Sequence, residues 1–368
     1  MADAIQTEFP LHSLQSGQWV KLICGASYQD LTAIRSLALI YSLAGVDCID
    51  MAADQAVVTA AREGMIAAQQ LSTEARKRGF PAFRFPWLMI SLNDGEDPHF
   101  RKAQFDATRC PKDCARPCES LCPAQAINQA GVINQRCYGC GRCLPVCPLG
   151  LISTRSHRAT PASIQSLLAS GEIDALELHT QVGHESEFKT LWQAIAPRCD
   201  RLKILAISCP GETNVLAYLN ALNDLIQPLP CPLIWQTDGR PMSGDIGKGT
   251  THAAIKFAQK VLASDLTGYV QLAGGTNGHT VTKLKELGLL QNPHPNLQNP
   301  LNQRLTISGI AYGSYARSLV LPILEELENF PENSLGSKQL EHYPTLLWSA
   351  VALADSLISP LKRRIDPN

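Results

Sequence analysis

Short apolar segments alternate with helical patterns along most of this chain of 368 residues. Near-continuous apolar segments are typical of strands buried on both faces, as in parallel sheets covered by helices. Eight such segments are predicted as strands: Trp19–Gly25, Val46–Ala52, Trp87–Leu92, Ala175–Leu178, Leu202–Ser208, Leu233–Gln236, Tyr269–Leu272 and Leu305–Ile310. Apolar residues at helical spacing predict the helices Asp30–Ala44, Gln55–Arg78, Ala162–Ala169, Glu187–Ile195, Asn214–Leu225, His252–Leu262, Val281–Leu287, Ser318–Leu327 and Tyr343–Lys362.

The count of eight strand–helix units favours a (β/α)8 TIM-like barrel. An open doubly wound α/β sheet is the alternative arrangement of the same elements. The alternation stops at Asn93 and resumes after about Arg158, and a cysteine-rich segment fills the gap. We therefore predict the first part of the barrel, with strands 1–3, at 1–93 and a ferredoxin-like insert at 94–158. The rest of the barrel and a C-terminal helix are predicted at 159–368.

Eight of the thirteen cysteines lie in this insert and form two runs of four. The second run contains Cys137, Cys140, Cys143 and Cys147 before Pro148, with the spacing C-x2-C-x2-C-x3-C-P. That spacing is typical of [4Fe–4S] ferredoxins. A structural zinc site is disfavoured, because it needs only four thiolates, usually in two separated pairs.

The first run contains Cys110, Cys114, Cys118 and Cys122 before Pro123, with the wider spacing C-x3-C-x3-C-x3-C-P. In two-cluster ferredoxins the fourth cysteine of each run ligates the other cluster. Two [4Fe–4S] clusters are therefore predicted, one held by Cys110, Cys114, Cys118 and Cys147 and the other by Cys137, Cys140, Cys143 and Cys122. A [3Fe–4S] cluster, a zinc ion or a damaged site are the alternatives for the first run.

Composition limits the partners and the compartment. The formal net charge is −1 and no Lys/Arg run is present, which argues against a general electrostatic grip on nucleic acid or anionic membrane. No apolar run is long enough to span a bilayer. The segment MADAIQTEFPLHSL has neither the basic region nor the apolar core of a secretory signal, so a cytoplasmic location is predicted.

Polar residues follow several predicted strands at the end where barrels place their binding sites. Asp50, Asp54, Asn93, Asp94, Glu177, His179, Gln236 and Asp238 form this set. Glycine-rich loops follow strands seven and eight and include Gly274, Gly275, Asn277, Gly313, Ser314 and Arg317. Loops of this kind bind phosphate through backbone amides, which predicts a flavin or another phosphate-bearing ligand. The alternative is that the glycines only make tight turns.

Five segments resemble the light-dependent period (LdpA) family of cyanobacteria. They are WVKLICGASYQDLTAIRSLALIYSLAGVDCIDMAAD, CPKDCARPCESLCPAQAI, CYGCGRCLPVCPLGLI, DGRPMSGDIGKGTTHAAIKFA and QLAGGTNGHTV. The resemblance implies paired iron–sulfur clusters and a redox input that modulates the period of the circadian clock. It also implies association with KaiA, CikA and SasA, and a quinone or another electron-transport component as the donor.

On this basis we expect a redox sensor or electron-transfer regulator rather than an enzyme. The alternative function is a ferredoxin-fused barrel oxidoreductase that uses a flavin or another phosphate-bearing ligand.

Overall fold

The computed structural model describes residues 2–24, 31–95, 101–111, 113–122, 125–133, 137, 141–156, 161–239, 249–290, 306–330 and 338–362. Among these residues, no helix has both the length and the apolar character needed to cross a bilayer.

Eight parallel strands close into a barrel, and four further strands form two small antiparallel sheets. The strands of the described residues, in chain order, are β1 (Trp19–Ile23), β2 (Cys48–Ala52), β3 (Trp87–Asn93), β4 (Arg101–Gln104), β5 (Ile127–Asn128), β6 (Gly131–Val132), β7 (Ser153–Ser156), β8 (Ala175–His179), β9 (Ile204–Pro210), β10 (Leu233–Asp238), β11 (Tyr269–Ala273) and β12 (Gly309–Tyr312). The order around the barrel is β1-β2-β3-β8-β9-β10-β11-β12, and β12 pairs with β1. The barrel prediction is confirmed, and the open doubly wound sheet is wrong.

Most of the helices pack around the barrel, and two short ones belong to the cysteine-rich insert. They are α1 (Ala2–Gln15), α2 (Leu31–Ala44), α3 (Gln55–Gln70), α4 (Ser72–Lys77), α5 (Pro117–Ser120), α6 (Cys143–Val146), α7 (Pro161–Ala169), α8 (Glu185–Ile195), α9 (Val215–Ile226), α10 (Thr250–Leu262), α11 (Thr280–Glu286), α12 (Ser314–Glu328) and α13 (Pro344–Ile358). The single helix expected over 55–78 is two helices, α3 and α4, which meet at Leu71.

Alternate residues of each barrel strand face the helices or the barrel interior. Val20 and Leu22 of β1 pack in the large core between strands and helices. Trp19 faces the barrel interior, where it packs with the apolar residues Cys48, Trp87, Met89, Ala175, Ile204, Ala206 and Ile234. Leu14 of α1 belongs to the same cluster, so α1 covers the amino-terminal end of the barrel. A side chain at Gly309 would come within 2.5 Å of Trp19, which explains a glycine where β12 meets β1.

The cysteine-rich insert has its own small framework. Strands β4 and β7 pair antiparallel, as do β5 and β6. Lys102 of β4 is buried, and its ammonium nitrogen lies 3.5 Å from the Asp54 carboxylate at the start of α3. The same carboxylate caps α3 by accepting from the backbone N–H of Ala56 at 2.9 Å. This ion pair connects the insert to the carboxyl-terminal end of the barrel.

Candidate metal centre and barrel mouth

The insert gathers thiols around a small apolar core. Cys118, Cys137 and Cys143 are buried in this core. Their apolar neighbours in the core are Ala103, Ala126, Ile127 and Ile152, with Cys122 and Cys147 packed at its edge. The twelve cysteines of the described residues are free thiols. Cys140 lies outside the described residues, so its predicted role in a cluster has no structural counterpart here.

Four of the thiols influence one another electrostatically. Desolvation raises the pKa of Cys110, and the neighbouring Cys114 and Cys147 raise it further. Desolvation likewise raises the pKa of Cys118, to which Cys147 and Cys110 also contribute. These four are the set predicted for one cluster, and their assignment to it stays a prediction.

Backbone amides point at the fourth cysteine of each run. The N–H of Ala126 donates to Cys122 Sγ at 3.2 Å, and the N–H of Leu151 donates to Cys147 Sγ at 3.4 Å. At Cys147 desolvation acts to raise the pKa, but several backbone N–H groups from Leu149 to Ile152 outweigh it and lower the pKa. Hydrogen bonds to sulfur are one of the means by which proteins tune iron–sulfur clusters. The donor set therefore fits iron–sulfur ligation.

The thiols of the described residues are not arranged as a closed cage. Within the residues the structure describes, no three His, Cys, Asp or Glu side chains form a group ready to hold a single metal ion. Of the four ligands predicted for the second cluster, three lie within the described residues: Cys137 and Cys143 in the small core, and Cys122 packed against it.

A second candidate site lies inside the barrel. It is a polar centre next to the apolar cluster around Trp19, towards the carboxyl-terminal ends of the strands. Lys21 of β1 is fully buried and forms an ion pair with Glu177 of β8, which is also fully buried. The Lys21 ammonium nitrogen also lies 3.5 Å from the Asp50 carboxylate of β2. Ser91 donates to the other oxygen of Asp50 at 2.5 Å. One ammonium group thus offsets two buried carboxylates, which would otherwise be costly to keep charged.

Amide side chains extend this centre across the barrel. Gln236 of β10 donates to Glu177 Oε1 at 2.7 Å, and Gln271 of β11 donates to Gln236 Oε1 at 2.5 Å. The indole N–H of Trp19 donates to Gln271 Oε1 at 2.5 Å. The chain of hydrogen bonds therefore runs from Trp19 through Gln271 and Gln236 to Glu177. We call Lys21, Asp50, Glu177, Gln236 and Gln271 the barrel-centre network.

Titratable groups near the mouth adjoin this network. Asp238 accepts from Ser208 and, at 3.3 Å, from Gln236. Burial raises the pKa of Asp238 to about 7, although Ser208, Lys21 and Gln236 act to lower it. His179 Nε2 lies 3.3 Å from Glu177 Oε1. Asp238 is therefore poised to exchange a proton near neutral pH, as functional carboxyl groups often are.

The predicted polar set divides into four groups. Asp50, Glu177, His179, Gln236 and Asp238 are brought together in or beside the barrel-centre network. Asp94 instead bonds to Thr180, and His184 Nδ1 lies 3.0 Å from its other oxygen. Asp54 pairs with the insert. Asn93 Oδ1 accepts from the backbone N–H of Gly95 at 2.9 Å, a local turn.

Sequence reasoning missed Lys21, Ser208 and Gln271. The available signal was strand alternation, since Lys21 shares the inward face of β1 with Trp19. A lysine on the inward face of a buried strand is rarely found without an acidic partner, so its position predicts a buried ion pair.

The glycine-rich loops adopt special backbone conformations. Gly274 and Gly275 have φ values of 64° and 130°, which favour glycine. A side chain at Gly275 would collide with Thr250 of α10, so this loop packs tightly on the start of that helix. Asn277 is occupied locally: its side-chain NH2 donates to Thr251 at 3.2 Å and its carbonyl oxygen accepts from the His279 N–H at 2.9 Å. These contacts are those of well-packed turns, and the predicted phosphate site at this loop stays a prediction.

The loop after β12 lies beside the end of β1. Gly313 precedes α12, and Ser314 is its first residue. Arg317, which is half-buried, donates to the Ile23 carbonyl at 3.0 Å and to Ser314 Oγ at 3.4 Å. Desolvation lowers the pKa of Arg317. The guanidinium thus joins two strand ends at the mouth, and its predicted contact with phosphate remains to be tested.

Fold and sites together define a (β/α)8 barrel protein carrying an iron–sulfur type module between its third and fourth barrel strands. The family model for the LdpA Fe-S cluster-binding domain matches residues 110–158. The model for the Light dependent period A C-terminal domain matches residues 167–360. The chain is 50% identical over 361 residues to Light dependent period A of Synechococcus elongatus, covering 98% of this chain and 96% of the relative. The chain belongs to the Light dependent period A family.

Two further likenesses are more limited. An iron-sulfur protein of Rhodospirillum rubrum is 39% identical over 60 residues, covering 14% of this chain and 32% of that protein. Among solved structures, the YdjI aldolase from Escherichia coli K12 aligns over 97% of this chain and 94% of its own, with 7% identity and a TM-score of 0.41. Fructose-bisphosphate aldolase from Campylobacter jejuni aligns over 97% and 91%, with 10% identity and a TM-score of 0.40.

Proposed function

We propose that this protein is an iron–sulfur redox sensor that conveys the state of light-driven electron transport to the circadian clock and thereby modulates its period. The observation that carries the proposal is the module itself. Two runs of cysteines share one core, and a backbone amide donates to the fourth thiol of each run. Membership of the Light dependent period A family supports the proposed role in setting a light-dependent period of the clock.

Two [4Fe–4S] clusters occupy the module in this proposal. Cys110, Cys114, Cys118 and Cys147 hold the first cluster, and Cys137, Cys140, Cys143 and Cys122 hold the second. The mutual influence of the first four thiols supports that set. When bound, the clusters supply reversible one-electron chemistry. The protein's own groups set how readily this occurs, because amide hydrogen bonds and solvent exposure shift cluster potentials.

The contact between module and barrel provides a route from redox state to partner binding. Adding an electron to a cluster makes the module more negative, and Lys102 in the module faces Asp54 of the barrel in a buried ion pair. Such a charge change shifts the equilibrium between two packing arrangements of module and barrel when it stabilises one arrangement more than the other. In this proposal the electrons come from a quinone or another electron-transport component. KaiA, CikA and SasA in the cytoplasm read the outcome.

Removing one cluster tests the sensor proposal. Replacing Cys137, Cys140 and Cys143 by alanine should lower iron to about half and reduce the response of the period to light intensity. Cys231→Ala is the matched control, because this free thiol lies outside the module and packs against the barrel core. A triple variant with less iron and an unchanged light response would refute the sensor role.

A second candidate function is a barrel oxidoreductase that takes electrons from the clusters. The barrel-centre network favours it, since a buried ammonium, two carboxylates and two amides meet below the mouth where barrels bind substrates. The ligand in this case is a flavin or another phosphate-bearing compound. Anaerobically purified protein should then show stoichiometric flavin absorbance or bind added FMN. Iron-loaded protein that does neither would leave only the sensor.

A further inference from the structure

Small side chains line the barrel interior between the barrel-centre network and the mouth. Strand alternation places three alanines there, because each lies two residues beyond an inward-facing residue of its own strand. The pairs are Asp50 and Ala52 of β2, Gln271 and Ala273 of β11, and Gly309 and Ala311 of β12. All three alanines are buried, yet they belong to neither apolar cluster of the barrel. Packed barrels carry mostly bulky branched side chains at such positions, so these alanines fill less of the interior and leave space for one small ligand.

Carboxyl groups outnumber cations on the side of the interior formed by β8 and β10. Lys21 is shared by the carboxylates of Asp50 and Glu177, so it offsets only one of their two negative charges. Asp238 adds a third carboxyl group at the end of β10, and its hydrogen-bond donors are an uncharged hydroxyl and an uncharged amide. His179, beside Glu177, adds a positive charge only when it is protonated. This acidic side of the mouth therefore favours a ligand with an ammonium group.

A cation without a carboxylate partner lies on another side of the mouth. The half-buried Arg317 donates to two uncharged oxygens, the Ile23 carbonyl at 3.0 Å and Ser314 Oγ at 3.4 Å. In the part of the chain that the structure describes, Arg317 forms no ion pair with a carboxylate. A positive charge held among neutral groups in this way favours an anionic ligand.

The Arg317 guanidinium borders the barrel interior. A Cβ atom at Gly313 would lie 3.8 Å from Arg317 Nη1 and 3.6 Å from the Cβ of Ile23. Ile23 is itself inward-facing, two residues beyond Lys21 on β1. Around the barrel, β12 and β8 are separated by three strands in either direction. Arg317, which follows β12, therefore lies across the mouth from Glu177 of β8.

The start of α12 adds to the attraction for an anion. No side chain caps this helix of 15 residues, and Gly313 occupies the N-cap position. The first backbone N–H groups of a helix have no partner within the helix and carry a partial positive charge. Arg317 is the fourth residue of α12, where a cation is unfavourable unless an anion offsets it. The guanidinium and the helix start thus favour the same kind of group.

We propose that the mouth of the barrel binds a small zwitterionic amino acid. Its carboxylate lies at Arg317 and the start of α12, and its ammonium group lies at Asp238 and Glu177. Charge-assisted hydrogen bonds at both ends orient the ligand, and the narrow interior of an eight-stranded barrel limits it to a short side chain. The inference does not require the clusters. It gives the barrel a ligand of another class than the flavin or phosphate-bearing compound of the second candidate function.

Ligands with charge of one sign match only one side of the mouth. A phosphate group carries about −1.5 to −2 at pH 7, which suits Arg317 but brings more negative charge towards Asp238. A simple amine pairs with Asp238 and leaves Arg317 without an anion. An amino acid has no net charge and offers each side the opposite charge, so it is complementary to the whole mouth.

Isothermal titration calorimetry of the full-length, iron-loaded protein at pH 8 under anaerobic conditions tests the proposal. Burial raises the pKa of Asp238 to about 7, so this carboxyl group is charged at pH 8. The probes are glycine, L-alanine, L-serine, β-alanine and γ-aminobutyrate, together with acetate and methylammonium, which carry one charge each. At least one amino acid should bind with a Kd of about 1 mM or less, and about tenfold more tightly than acetate or methylammonium.

Variants on the two sides of the mouth should act differently. Arg317→Gln should weaken binding of the amino acid and of acetate about tenfold, because it removes a charged hydrogen-bond donor. Asp238→Asn should weaken binding of the amino acid but leave acetate unchanged. Arg317→Lys keeps the charge and should bind more tightly than Arg317→Gln, and it replaces that variant if the latter does not fold. Ala273→Val should weaken binding of every amino acid, because it fills the interior without changing the charge.

Matched controls come from exposed positions outside the mouth. Arg201→Gln, before β9, and Asp224→Asn, in α9, remove the same charges from exposed side chains. Both should bind the amino acid as the unmodified protein does.

Three results would overturn the inference. The first is that no amino acid of the panel binds with a Kd below about 10 mM. The second is equal binding by Arg317→Gln, Asp238→Asn and their controls. The third is Arg317-dependent binding of inorganic phosphate or FMN without binding of any amino acid, which would favour the second candidate function. Protein that lacks iron but still binds the amino acid would refute the proposed sensor function and support this inference.

Discussion

Replacing Lys21 by methionine should strongly destabilise the barrel. Lys21 is fully buried, pairs with Glu177 and lies 3.5 Å from Asp50, so the substitution leaves two buried carboxylates without their cation. Removal of one partner from a buried ion pair typically costs about 3–5 kcal/mol, because the remaining charge is uncompensated. Methionine keeps most of the side-chain volume, so little of the loss should come from a cavity.

The loss should also depend on pH. Burial already raises the pKa of Asp50, and Lys21 acts against that rise. Without the ammonium group the pKa in the folded state rises further above the unfolded value of about 4. A carboxyl group of this kind favours folding when protonated, so the free energy of unfolding of the variant should decrease as the pH rises from about 4. The variant should therefore be less impaired at pH 5 than at pH 8.

Anaerobic urea unfolding followed by tryptophan fluorescence measures both effects. Lys203→Met is the matched control, because Lys203 pairs with Asp174 at 2.6 Å while the two side chains are 36% and 26% exposed. Exposed pairs contribute about 0–1 kcal/mol, so this variant should be almost unchanged. A loss below about 1 kcal/mol for Lys21→Met, or the same loss at both pH values, would refute the description of the barrel-centre network.

Two further predictions concern the barrel mouth and the module contact. Because burial raises the pKa of Asp238 to about 7, this group should make the free energy of unfolding decrease between pH 4 and pH 7. Asp238→Asn should flatten that part of the urea-unfolding profile, and an unchanged slope would contradict it. Lys102→Met and Asp54→Asn should show a coupling energy of about 0.5–3 kcal/mol in a double-mutant cycle, since the two side chains are 4% and 9% exposed. Additive losses would mean that the module does not depend on this contact.

Much of the fold could be predicted from the sequence because the barrel strands are apolar on their outer faces. Each of the eight predicted strands overlaps an observed one, with end shifts of a few residues. Helix α1 was missed because its sequence, which contains Pro10, has no clear apolar stripe. Its role becomes visible only when Leu14 meets Trp19 at the closed end of the barrel.

The site was harder to predict than the fold. Cysteine spacing indicates the ligands, but it cannot indicate that backbone amides of Ala126 and Leu151 reach the fourth thiols. Glu177 and Asp238 were expected at strand ends, whereas their connection through Gln236 depends on barrel closure. Lys21 looks like an interruption of an apolar strand until the opposite strands supply its partners.

Iron and acid-labile sulfide analysis of the anaerobically purified protein, together with EPR spectroscopy of the reduced form, tests the central claim most directly. Two [4Fe–4S] clusters predict about eight iron and eight sulfide per chain, with EPR signals from two interacting clusters. Colourless protein, zinc in place of iron, or no more than four iron per chain would contradict the account.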